Sequence, residues 1–100
     1  MLAPSTILVA DDEPELCNVL NKVLTKEGYR VLVATSGQQA LSLLKKEGNI
    51  RLILLDLKMP AIGGLDVLKK MKKVWGKGKR PVVIILTAHG SLSSAREAME

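Results

Sequence analysis

Residues 7–14 read Ile7-Leu8-Val9-Ala10-Asp11-Asp12-Glu13-Pro14, and this stretch decides the fold. Four apolar residues in a row suit a strand buried on both faces. The run stops at two aspartates, and from Pro14 the period changes. Leu16, Val19, Leu20, Val23 and Leu24 fall at i, i+3, i+4, i+7 and i+8, one stripe of a helix. Asp12 or Glu13 can cap that helix, Pro14 suits its first turn and Gly28 can end it. Cys17 lies beside the stripe and reads as a small helix residue with an inert thiol.

The same alternation continues outward. Tyr29 to Ala34 predicts a second strand. Ser36 opens a helix with Gln39 three residues on, a capping-box pattern. Ala40, Leu41, Leu43 and Leu44 form its apolar side and Gly48 stops it. Leu52 to Leu55 predicts a third strand, apolar on both faces and ending at Asp56. Pro60, Gly63 and Gly64 mark a loop. Leu65, Val67, Leu68, Met71 and Val74 give a third amphipathic helix. Pro81 to Leu86 predicts a fourth strand ending at Thr87, and Ser91 can cap a fourth helix through Ala95, Ala98 and Met99. Strand and helix alternate four times. The expected fold is therefore α/β, a doubly wound parallel sheet covered on both faces. Sites in such sheets lie beyond the carboxyl ends of the strands, near the point where strand order reverses.

Composition narrows the function classes. The chain has 100 residues, a length that fits one domain. Hydrophobic residues make up 47% and charged residues 25%, which argues against intrinsic disorder. Trp75 and Tyr29 are the only aromatics, so stacking platforms for single-stranded nucleic acid are excluded. A single cysteine excludes an internal disulfide and a multi-cysteine metal cluster, and points to a reducing compartment. No apolar run reaches the roughly 18–20 residues that span a bilayer, and no secretory signal is visible, so a cytoplasmic location is expected. The formal charge of +5 permits acidic partners without demanding them.

The carboxyl ends of the predicted strands carry the chemistry. Asp11 and Asp12 follow the first strand, Asp56 the third and Thr87 the fourth. At about 4 Å and an effective dielectric near 20, each close carboxylate pair repels by roughly 4 kcal/mol. A small domain holds only about 5–15 kcal/mol of net stability. Such a cluster needs a cation, a raised pKa or both. Hard oxygen donors with room for water favour Mg²⁺ over zinc. Taken alone, Asp12 would pass for a strand-end or cap polar group; it is the set of four residues on one rim that points to function.

Residues 7–14 resemble the first strand and acidic pair of the receiver domain of bacterial two-component response regulators, a CheY-like fold. Leu54-Leu55-Asp56-Leu57-Lys58-Met59-Pro60, followed by Gly63-Gly64, resembles the family's phosphoacceptor strand and loop. Pro81 to Gly90, with Thr87-Ala88-His89-Gly90, resembles its fourth strand and switch residue. The final stretch, Gly90-Ser91 through Met99, is most similar to receivers of the nitrogen-regulation (NtrC-like) class. The resemblance covers essentially the whole chain and implies one receiver domain over residues 1–100. It implies that Asp56 accepts a phosphoryl group from a sensor histidine kinase. It implies that Asp12, Asp56 and the backbone carbonyl of Met59 ligate Mg²⁺, with Asp11 acting mainly through a metal-bound water. Thr87 would contact the phosphoryl group, and small Ala88 would leave access to it. The implied partners are the kinase and an output domain or downstream protein, and a homodimer is compatible. Neither nucleic-acid nor membrane contact is expected of this domain, and the role is signalling rather than enzymatic turnover.

The family's fifth strand, its lysine and its fifth helix have no counterpart here, and Lys58 belongs to a different loop. The sequence therefore reads as incomplete at its carboxyl terminus, with the fourth strand expected as an exposed edge. A chain isolated in this form is expected to be destabilised or to self-associate. Two other functions fit less well. A phosphorylation-independent interaction module is suggested by the missing lysine. An aspartyl-nucleophile phosphatase would want an acid where Lys58 stands. Lys69, Lys70, Lys72, Lys73, Lys77, Lys79 and Arg80 form the main basic concentration and read as a solvated helix end and turn. Trp75 reads as a packing residue and His89 as a surface loop residue near the site.

Overall fold

The structure, a computed structural model, describes residues 5–57, 59, 63–75 and 80–86. Thr87, Ala88, His89, the expected fourth helix, Lys58, Lys77 and Lys79 lie outside the described residues, as does the side chain of Trp75. The order of elements is β1 (Thr6–Ala10), α1 (Pro14–Lys26), β2 (Arg30–Ala34), α2 (Gly37–Lys46), β3 (Ile50–Asp56), α3 (Gly64–Trp75) and β4 (Val82–Leu86). The four strands form one parallel sheet in the order β2-β1-β3-β4. The chain moves outward from β1 to β2, then crosses back past β1 to β3. The reversal of strand order thus falls between β1 and β3.

β1 is buried at all five positions because it is central and covered on both faces. Its side chains alternate between two cores. Leu8 and Ala10 join Ile53, Leu55, Leu41, Leu44, Val67 and Met71 on the face covered by α2 and α3. Ile7 and Val9 join Leu54 and Cys17 on the face covered by α1. The cores are aliphatic, and full burial of a residue such as Leu8 or Leu55 contributes about 1.5–3 kcal/mol. β4 closes the described sheet at one side. Val83 and Ile85 pack against the larger core, whereas Val82 and Ile84 on the opposite face are 64% and 48% exposed.

The helix boundaries follow local chemistry, with some corrections to the sequence reading. Neither Asp12 nor Glu13 caps α1 through its side chain. Glu13 is the N-cap without a side-chain hydrogen bond, and Pro14 begins the helix. Gly28 ends α1 at φ +97°, a conformation that favours glycine, with its N–H donating to the Thr25 carbonyl at 3.0 Å. Tyr29 is not part of β2. Its N–H donates to the Leu24 carbonyl at 3.2 Å, and β2 starts at Arg30. In α2 the Ser36 hydroxyl accepts from the Gln39 N–H at 3.1 Å. The Gln39 side-chain carbonyl accepts from the Thr35 N–H at 2.8 Å, so the box closes one residue earlier than usual. α2 ends at Lys46, and extended backbone at Glu47 stops it before Gly48 is reached.

The buried stripe of α1 also differs from the expected one. It runs through Cys17, Leu20 and Leu24, while Val19 and Val23 are 56% and 54% exposed. At about 100° per residue, Val23 and Val19 stand roughly 90° and 130° from the centre of the buried stripe. Of the five expected residues Leu20 and Leu24 do face the core, and the pattern was offset toward the exposed Val19 and Val23.

Candidate functional site

Asp11, the residue after β1, continues the strand direction. Its N–H donates to the Ala34 carbonyl at 3.0 Å, which ties it to the end of β2. Its Oδ1 accepts from the Glu13 N–H at 2.9 Å, a turn that swings the chain into α1 and leaves Asp12 exposed. Asp56 is the last residue of β3, paired in register with Leu86 of β4. Since β1 and β3 are adjacent and parallel, their carboxyl ends meet at one rim. Carboxylate oxygens of Asp11, Asp12 and Asp56 lie within 4.8 Å of one another.

That arrangement is electrostatically costly. Asp11 is only 5% exposed. Burial pushes its carboxyl above the ordinary value of 3.8. The Glu13 N–H opposes this, and the charges of Asp56, Asp12 and Glu13 reinforce it. Carboxylate oxygens within 4.8 Å of one another repel, with solvent at the exposed Asp12 screening part of the effect. A divalent cation at the rim would remove this repulsion. The donor set fits a hard cation. It is all oxygen, it mixes a buried, a half-buried and an exposed residue, and a hollow of about 500 Å³ lined by Asp12, Glu13, Pro14 and Glu15 opens beside it.

Cys17 supplies no soft ligand. Its Sγ donates to the Asp11 carbonyl at 3.3 Å, and burial raises its pKa, so it remains a buried thiol beneath the rim. It sits within the buried stripe of α1 rather than beside it. Met59 is 6% exposed and packs into the larger core, close in sequence to Asp56. The loop beyond Asp56 is held close by Gly64. A Cβ there would run into the Asp56 carbonyl and approach the Leu57 Cα to 2.8 Å. The Gly64 N–H donates to the Leu57 carbonyl at 3.2 Å. The sequence marked Gly64 only as a loop residue. Its position eight residues after the strand-end aspartate was the available signal for a close backbone approach.

Fold and rim together define a class: a doubly wound parallel sheet with an acidic cluster where strand order reverses. Residues 7–100 match the family model described as "Response regulator receiver domain". The chain belongs to this family and is a receiver domain of the two-component response regulators. It is 40% identical over 94 residues to sporulation initiation phosphotransferase F of Bacillus subtilis, covering 94% of this chain and 73% of that protein. It is 44% identical over 85 residues to the transcriptional regulatory protein CpxR of Escherichia coli, covering 85% of this chain but only 34% of the regulator. Among solved structures, a receiver domain protein from Clostridium thermocellum superposes with a TM-score of 0.85 at 35% identity, covering 95% of this chain and 74% of that one. The response regulator TrrA from Thermotoga maritima, solved in complex with Mg(2+)-BeF, gives a TM-score of 0.80 at 36% identity, covering 95% and 79%. No helix among the described residues is long and apolar enough to cross a membrane.

Proposed function

We propose that residues 1–100 act as a single cytoplasmic receiver domain in which Asp56 is the phosphoacceptor. The observation that carries this reading is the convergence of Asp11, Asp12 and Asp56 at the carboxyl ends of β1 and β3. A carboxylate oxygen of Asp56 attacks the phosphorus of a phosphohistidine on a sensor kinase. The P–N bond breaks, the imidazole leaves, and an aspartyl phosphate remains. Asp56 sits at the end of a strand paired on both sides, so its backbone is fixed before the donor arrives.

Asp12, Asp56 and the Met59 carbonyl would hold a Mg²⁺ ion, with Asp11 acting through ion-bound water. When bound, the ion neutralises charge on the rim and on the transferring phosphoryl group. Thr87 would contact the phosphoryl oxygens. The added charge, roughly −1.5 to −2, would bias a two-state surface read by an output domain or a downstream protein. The relatives support this reading: one is named a phosphotransferase, one a transcriptional regulator, and one was solved with Mg(2+)-BeF.

The test is labelling with acetyl phosphate and Mg²⁺, followed by intact mass measurement. The chain should gain one phosphoryl group, and Asp56→Asn should abolish the gain. Undiminished labelling of Asp56→Asn would show that the phosphoacceptor is misassigned.

A further inference from the structure

Charge is spread unevenly over the two layers of helices. α2 and α3 contact each other on one face of the sheet and cover the larger core. Both run back against parallel strands, so their last turns lie side by side at the amino ends of the strands. Together they carry Lys45, Lys46, Lys69, Lys70, Lys72 and Lys73 against a single aspartate, Asp66. The carboxylates of Asp11, Asp12 and Asp56 stand at the other end of the sheet. At about 100° per residue, Lys46 and Lys73 fall nearly opposite the buried stripes of their helices, and Lys45 and Lys70 fall to the side. All four are exposed, and among the described residues none of the four is in an ion pair. Lys69 already has a partner.

Helix dipoles account for lysines in a last turn. They do not account for Lys70, which lies before the last turn of α3. Nor do they account for like charges three and four residues apart along α3, a spacing that weakens a helix. The rest of the face points to the kind of partner. The exposed large apolar side chains among the described residues are Val19, Val23, Tyr29, Val82 and Ile84, and none of them is on α2 or α3. A protein partner would be anchored by apolar or aromatic side chains at the centre of the contact. A membrane surface would take up an apolar helix face beside the lysines. Duplex DNA needs neither. It carries one phosphate charge per roughly 1.7 Å of axis, and its affinity for lysines comes from the counterions they release. Ammonium groups on flexible stems suit such a contact, because each meets a phosphate as a point charge.

We propose that the outer face of α2 and α3, through Lys45, Lys46, Lys70 and Lys73, docks on the phosphate backbone of duplex DNA without reading its sequence. Composition excludes base stacking by this chain, not contact with phosphates, so the placement of the lysines revises the expectation of no nucleic-acid contact. The last turns of both helices lie at the far end of the strands from Asp56, and the contact does not depend on the phosphoacceptor assignment.

The test is fluorescence anisotropy of two labelled DNA duplexes of unrelated sequence, titrated with the full chain without magnesium from about 50 to 200 mM salt. Equal affinity for both duplexes is expected, falling with salt at a log–log slope of about −3 to −4 for the four ammonium groups. Lys45→Gln with Lys46→Gln should flatten the slope by roughly two and weaken binding about tenfold at the lowest salt, and so should Lys70→Gln with Lys73→Gln. Lys22→Gln with Lys26→Gln, on the helix covering the opposite face of the sheet, should weaken it by less than about threefold. Each double variant should keep the thermal unfolding midpoint of the unaltered chain, which separates loss of the face from loss of the fold. Binding that is insensitive to salt, that differs more than about tenfold between the two duplexes, or that both α2–α3 lysine pairs leave unaltered would overturn the proposal. Equal or tighter binding to poly-glutamate or to anionic vesicles would overturn it as well.

Discussion

β1 and the rim that follows it differ sharply over a few residues. From Ile7 to Ala10 every side chain is apolar, buried and works for stability. At Asp11 and Asp12 the same chain turns against it, placing carboxylates near one another and near Asp56. The contrast shows how a small aliphatic domain keeps a site crowded with like charge. The centre of the sheet supplies rigidity, and the strand ends carry the charge on which the proposed phosphoryl chemistry rests.

Substitutions that cross this boundary should have very unequal effects. Leu8→Ala, at a fully buried position in β1, should cost about 3–5 kcal/mol in urea unfolding. A loss below about 1 kcal/mol would mean that β1 is not the packed centre of the domain. Gly64→Ala would force the start of α3 away from the Asp56 and Leu57 backbone. It should cost about 2–3 kcal/mol and also impair labelling at Asp56.

Asp11→Asn should act in the opposite sense. Because the folded protein holds the Asp11 carboxyl above its ordinary value, the folded state binds the proton more tightly than the unfolded state does. The stability from this group is therefore full below the ordinary value of 3.8 and lost as pH rises through the raised folded value. At pH 7 without metal, Asp11→Asn should gain on the order of 1 kcal/mol by removing a buried charge and, to a lesser degree, its repulsion with Asp56 and Asp12. The gain should vanish in acid and reverse in saturating Mg²⁺. Thermal unfolding against pH, with and without the ion, checks all three statements. Val19→Ala, on the exposed side of α1, should change stability by less than about 0.5 kcal/mol. A large loss there would restore the stripe that the sequence suggested.

Much of this was legible in the residues. The apolar runs at 7–10 and 52–55 marked the central strands because burial on both faces leaves no polar position to confuse the period. Asp11, Asp12 and Asp56 were legible as a set because parallel topology brings the strand ends together. The buried face of α1 was less so. Val19 and Val23 fit the helical spacing as well as Cys17 does, and only the packing against β1 and β2 chooses between them. The close approach of Gly64 to the Asp56 backbone and the start of β2 at Arg30 rather than Tyr29 depend on contacts and hydrogen bonds made in three dimensions. A one-dimensional pattern does not contain these.

The most direct measurement is calorimetric titration of the protein with Mg²⁺, beside Asp12→Asn and Asp56→Asn. The account predicts a single saturable ion, bound more weakly by about tenfold or more in either variant. No uptake by the unaltered protein, or equal uptake by all three, would contradict a rim built to hold a cation beside a phosphate acceptor.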